Sequence, residues 1–188
     1  MILRKSLLAT SVAVAVMAVS SVNAAPFQAS NTGPAVQPSF ATPNGSTVLY
    51  DQTDSAAGNG APVQNFEASF DAYDSEGADD FVVPAGGWTV SSFNFVTTVG
   101  TPVTTTAALN VYADAAGLPG GAPVCSAAAA VADVTATGTT VTLPAPCVLG
   151  AGTYWVALTV DVNFGTNGQI FWSNRSVQTN SPGVFRNP

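Results

Sequence analysis

The sequence predicts an all-β fold, an antiparallel β-sandwich of jelly-roll-like or other Greek-key topology, and three features carry that expectation. Several stretches alternate apolar and polar residues with period two, most cleanly over 154–162. Turns rich in Gly, Pro, Asn and Asp separate these stretches at short intervals, and after residue 24 no segment keeps a helical period long enough to build a helix.

Residues 1–24 read as a secretory signal peptide. Arg4 and Lys5 precede an apolar run over 7–19, and Val22-Asn23-Ala24 presents side chains suited to cleavage before Ala25. A bilayer span needs about 20 apolar residues, and this run breaks at Ser20-Ser21. The expected location is therefore secreted, extracellular or periplasmic, with no membrane span in the mature chain. Residues 25–45 show neither period and read as a disordered or draped N-terminal arm, leaving 46–188 as one β-sandwich domain.

Within that domain, 46–51 is a short β-like run and 54–62 carries turn chemistry. Phe66, Phe70 and Tyr73 are spaced by four and three, but the acidic turn residues that follow argue for a loop with aromatic pins. Residues 78–83 form a strand, Pro84-Ala85-Gly86-Gly87 a corner, and 88–96 the next strand. In that second strand Trp88 and Val90 share one phase and Phe93 and Phe95 the other, so a β-bulge is expected at Ser91-Ser92.

Leu109, Val111 and Ala113 alternate with polar neighbours before a Gly117-Leu118-Pro119-Gly120 turn, whereas the alanine-rich 124–134 is ambiguous. Residues 139–143 make a short strand that Pro144 and Pro146 resist prolonging. Tyr154, Val156, Leu158, Val160 and Val162 then share the face that lines the core. Asn167-Gly168 is suited to a tight hairpin returning along 169–172.

Composition excludes several functions. Charged residues are 8% of the chain, histidine is absent, and loss of Arg4 and Lys5 with the leader takes the formal charge from −7 to −9. So few cations exclude a nucleic-acid partner, since phosphate neutralisation supplies most of that affinity. Without histidine the usual general base, nucleophile activator and commonest metal ligand are missing, so the expected protein is not an enzyme and holds no catalytic residue or cofactor.

The motifs Ala78-Asp79-Asp80-Phe81-Val82-Val83-Pro84, Trp88-Thr89-Val90, Asn110-Val111-Tyr112-Ala113-Asp114, Gly117-Leu118-Pro119-Gly120, Leu149-Gly150-Ala151-Gly152-Thr153-Tyr154-Trp155-Val156 and Arg186-Asn187-Pro188 occur in that order. Over about 49–188 the chain thereby resembles a group of secreted bacterial β-sandwich exported-protein domains. The resemblance implies a jelly-roll-like sandwich without an established activity. It also implies one further strand after Pro188, so an open edge is expected near Val184-Phe185, covered by the arm or by self-association.

Four groups of residues remain. Cys125 and Cys147 are the only cysteines, and an isolated pair in an exported chain forms a disulfide. Asp71, Asp74, Glu76, Asp79 and Asp80 crowd ten residues, yet their spacing fits no EF-hand loop, so an acidic turn capping backbone amides is favoured over a calcium site and no metal ligand is assigned. Asp79 and Asp80 point to opposite faces of a strand, which rules against a paired-carboxylate glycosidase. Trp88, Tyr112, Trp155 and Trp172 are candidates for stacking on a sugar, Trp155 foremost. The functional expectation is a non-catalytic exported module binding carbohydrate or a cell-surface component, with a structural protein assembling through sheet edges as the alternative.

Overall fold

A computed structural model describes residues 47–188 and the backbone of Ala25–Pro26. The leader, residues 27–45 of the arm and Ser46 lie outside the described residues. In chain order the elements are β1 (Ala25–Pro26), β2 (Ala56–Pro62), β3 (Gln64–Asn65), a 3-10 helix (Ala68–Tyr73), β4 (Glu76–Val83), β5 (Trp88–Phe95), β6 (Thr97–Thr98) and β7 (Val103–Asp114). They continue with β8 (Pro119–Val134), β9 (Thr139–Leu149), β10 (Gly152–Asp161), a one-turn helix α1 (Phe164–Asn167), β11 (Phe171–Arg175) and β12 (Val184–Arg186).

The strands form two packed sheets, as the alternating pattern predicts. The larger runs β1-β12-β4-β10-β7-β8-β9-β5, with β3 added in parallel to the end of β10, and the smaller runs β2-β11-β6. Strands β7, β8 and β9 form successive hairpins and β10 returns antiparallel beside β7, so the spatial order β10-β7-β8-β9 is a Greek key. Tyr154, Val156, Leu158 and Val160 of β10, and Val162 just after it, face the main core with Phe81, Val83, Leu109, Val111 and Phe95.

Gln64, fully buried, joins the layers. Its side chain donates to the Val162 carbonyl at 2.7 Å and accepts from the Ile170 amide at 3.0 Å, so both ends of a buried amide are satisfied.

The bulge expected at Ser91-Ser92 is present, but its extra residues belong to the partner strand. Val90 pairs with Cys147 and Ser92 with Thr142, so β9 contributes residues 143–146 opposite Ser91 alone. Here β9 continues through Pro144 and Pro146 to Leu149, against expectation, because neither proline sits at a position paired to β5 or to β8. The ambiguous 124–134 lies in β8, where a register shift opposite Ala107/Leu109 changes the phase: Ala127 is buried, and then Ala130, Ala132 and Val134.

Four further expectations are corrected. Residues 54–62, read as a turn, contain β2. Gly60 permits it, since a Cβ there would stand 2.4 Å from the Trp172 carbonyl oxygen of the adjoining β11. Of the β-like run 46–51, the described residues 47–51 join no sheet and form a strap instead. Asn167-Gly168 closes no hairpin, because Asn163 caps α1 by accepting the Thr166 amide, and β11 crosses to pair with β2 and β6. The loop expected over 66–73 contains a 3-10 helix, without a buried residue in it.

At the C-terminal edge, Val184 pairs with Ala78 of β4 while Ala25 and Pro26 pair with the other side of β12. Strand β12 reaches only as far as Ala78, and beyond it the strap takes over, with Gln52 donating to the Asp80 carbonyl at 3.4 Å. Among the described residues no helix is long and apolar enough to cross a membrane.

Candidate functional site

Two turns meet at the end of the sandwich where β4 passes to β5 and β9 passes to β10. In the first, the Gly87 amide donates to the Pro84 carbonyl at 3.1 Å, and Gly86 and Gly87 take φ of 105° and 70°, the left-handed region that favours glycine. The second approaches so closely that a Cβ on Gly87 would lie 2.5 Å from the Leu149 carbonyl oxygen. Between them opens a cavity of about 340 Å³, lined by Gly86, Gly87, Trp88, Val148, Gly150 and Ala151, with Thr89 and Leu149 completing it.

No lining residue is ionisable, so recognition there would rest on the Trp88 ring, the Thr89 hydroxyl and backbone amides and carbonyls. Trp88 packs against two other rings: it lies 6.2 Å from Phe81 at 7° and 6.2 Å from Tyr50 at 44°. The cavity is open to solvent, Val148 on its rim being 76% exposed, and it presents an aromatic side chain and glycine backbone without charge.

Of the four aromatic candidates, the structure brings only Trp88 to this cavity. Trp155 is 0% exposed and donates its indole N–H to Asp114 at 2.8 Å, so it is a structural residue of the outer face, packed with Ala78, Tyr112, Ala157 and Val184. Its polar phase on β10 misled the sequence reading because that face carries a second small core. Trp172 packs against the main core, 4.8 Å from Phe95 and near perpendicular to it. Tyr112 is buried and accepts from Arg186 at 3.4 Å.

The five clustered carboxylates are dispersed to separate tasks, and among the described residues no three acidic, cysteine or histidine groups gather as a metal would require. Asp74 accepts the Phe66 amide at 2.8 Å, and Glu76 pairs with Arg186. Asp79 faces the core phase of β4 opposite Val156, where burial pushes its carboxyl up to about 7. Asp80, on the opposite face, is buried and raised by the same cause. One of its oxygens accepts the Ser181 amide at 3.2 Å and the other is buried without a partner.

Cys125 and Cys147 are joined, with Cα atoms 5.9 Å apart. Their bond ties β8 to β9 beyond the last paired residues, Val131 and Thr142, where the strands have parted.

The glycines, Val148 and Ala151 of the cavity were not singled out as site residues, since a site made of backbone has no side-chain signature. The fold and disulfide define the class of protein, an antiparallel β-sandwich with a Greek key and one cross-link. No protein-family model, curated protein or solved structure matches the chain.

Proposed function

We propose that the chain is a non-catalytic exported β-sandwich module that binds a neutral carbohydrate or a similar polyhydroxylated component of a cell surface at the Trp88 cavity. The observation that carries this reading is an open cavity of about 340 Å³ without an ionisable group, combining an indole packed on Phe81 with glycine backbone. Pyranose rings offer apolar faces to aromatic rings and hydroxyls to peptide groups, and they need no charge. Export is supported by the leader-like start and by the disulfide, which belongs to an oxidising compartment.

The test is glycan-array binding of the chain from Ala25 onward beside Gly150→Leu. A Cβ at Gly150 meets nothing within 4 Å, and its φ is not in the left-handed region, so the substitution adds bulk to a residue that lines the cavity without straining the fold. Binding of uncharged oligosaccharides by the parent and its loss in Gly150→Leu is the expected result. No glycan bound, or equal binding by both, defeats the reading.

A second reading, assembly through a sheet edge, is favoured by β5. It ends the large sheet, and among the described strands only β9 pairs with it. Eight residues of strand edge are a template for another chain. Sedimentation velocity across concentration decides it: concentration-dependent growth abolished by Asn94→Pro supports edge assembly, and a monomer throughout rejects it.

A further inference from the structure

The end of the sandwich opposite the Trp88 cavity carries a second group of rings, and their surroundings have a different chemistry. The 3-10 helix and α1 bring Phe66, Phe70, Tyr73 and Phe164 together. Phe70 and Phe164 lie 5.7 Å apart at 67°, Phe66 and Phe164 6.1 Å apart at 50°, and Phe70 and Tyr73 6.4 Å apart at 48°. Phe66 is buried, but Phe70 is 37% exposed, Phe164 45% and Tyr73 67%. Three adjacent rings left partly open to water make an exposed apolar patch of the kind that marks an interaction site.

The charges that flank the ring-bearing segments are negative, and the nearby cation Arg186 is paired to Glu76, its neighbour Asn187 donating to the Ala72 carbonyl at 2.9 Å. Glu67, Asp71 and Asp74 flank or interrupt the helix, and Asp161, at the end of β10, accepts from Asn65 at 2.7 Å. Glu67 takes the Phe164 amide at 2.9 Å, a bond that holds its carboxyl below the usual range and keeps it ionised. The basic residues among those described are Arg175 and Arg186, and they pair with Asp54 and Glu76. The acidic rim is thus not neutralised by the chain itself.

We propose that this end binds a basic segment of a partner protein, its Lys or Arg side chains lying against Phe70, Tyr73 and Phe164 inside the rim of Glu67, Asp71, Asp74 and Asp161. Two arguments converge on a cation. The rings are tilted, so they offer no common plane for a flat sugar ring, whereas a compact cation needs only one ring face at a time. The rim adds attraction for a cation, nothing for a neutral glycan, and repulsion for the anionic surface of a lipid bilayer.

The experiment titrates fluorescent hexa-arginine into the chain from Ala25 onward at low and physiological salt. It is repeated with Phe70→Ser/Tyr73→Ser and with Asp51→Asn, a charge change on the strap. Removal of the two rings is expected to weaken binding about tenfold, as cation–π contacts of ordinary size require, while Asp51→Asn changes it less than twofold. An unchanged unfolding midpoint certifies the double variant. Should it unfold, Tyr73→Ser alone, at the most exposed of the rings, gives the reading with a several-fold loss. Equal binding by the ring variants would reduce the attraction to net charge and overturn the proposal. So would ring-dependent binding of a neutral oligosaccharide or of anionic phosphatidylserine vesicles in place of the peptide.

Discussion

The rings of Phe81 and Trp88 stack 6.2 Å apart at 7°, although β4 and β5 are separated in the large sheet by β10, β7, β8 and β9. The sheet therefore folds over until β5 faces β4 across the core, and this pair closes the two layers on each other although β5 and β4 share no strand pairing. Phe81→Ala should cost about 3–5 kcal/mol. Because Trp88 lines the cavity, the same substitution should also weaken any ligand bound there. Urea unfolding of Phe81→Ala, Trp88→Ala and the double variant checks the closure: additive losses would show that the stacked pair is not coupled.

On the outer face the buried Trp155 donates its indole N–H to the exposed Asp114, a part-buried hydrogen bond. Asp114→Ala leaves the indole N–H unsatisfied and should cost about 1–3 kcal/mol, with a change in near-ultraviolet circular dichroism from the tryptophan. Trp155→Phe with Asp114→Ala, lacking both partners, should be less damaging than the sum of the single changes. Denaturant midpoints of the three variants measure it.

Asp79 makes stability depend on pH. Its carboxyl titrates at about 7 when folded against 3.8 for the ordinary group, so the folded chain holds a proton that the unfolded chain has released. Stability is fullest below the unfolded value and falls as pH rises from about 4 to about 7, by up to about 4 kcal/mol. Burial raises Asp80 too, which acts in the same direction. Asp79→Asn should flatten the decline and stabilise the chain at neutral pH. A parent midpoint that rises over this range contradicts the assignment.

The disulfide closes a sequence separation of 22 residues and should contribute about 3 kcal/mol by constraining the unfolded chain. Cys125→Ser/Cys147→Ser should therefore lower the midpoint by several degrees, with the largest gain in amide exchange in β8 and β9, where the strands have parted. Thermal unfolding and hydrogen exchange test both statements.

Export predicts cleavage after Ala24, so the secreted protein should begin at Ala25, the residue that pairs with Phe185. Intact mass of secreted material decides it, and retention of residues 1–24 excludes the leader.

The sequence alone determined the class of fold, the inward face of β10, the location of the β5 irregularity and the bonding of Cys125 with Cys147. Each depends on local pattern or on the arithmetic of two cysteines. It also indicated that Asp79 and Asp80 occupy opposite faces of one strand. Tertiary structure alone decided that Trp155 is buried, because period two says that a residue faces away from one core but not whether another layer covers it. It decided that β11 leaves its chain neighbour β10 for the other sheet, since strand partners lie far apart in sequence. It likewise decided that a cavity forms where Gly87 meets Leu149, because contact between two backbones leaves no mark on either side chain.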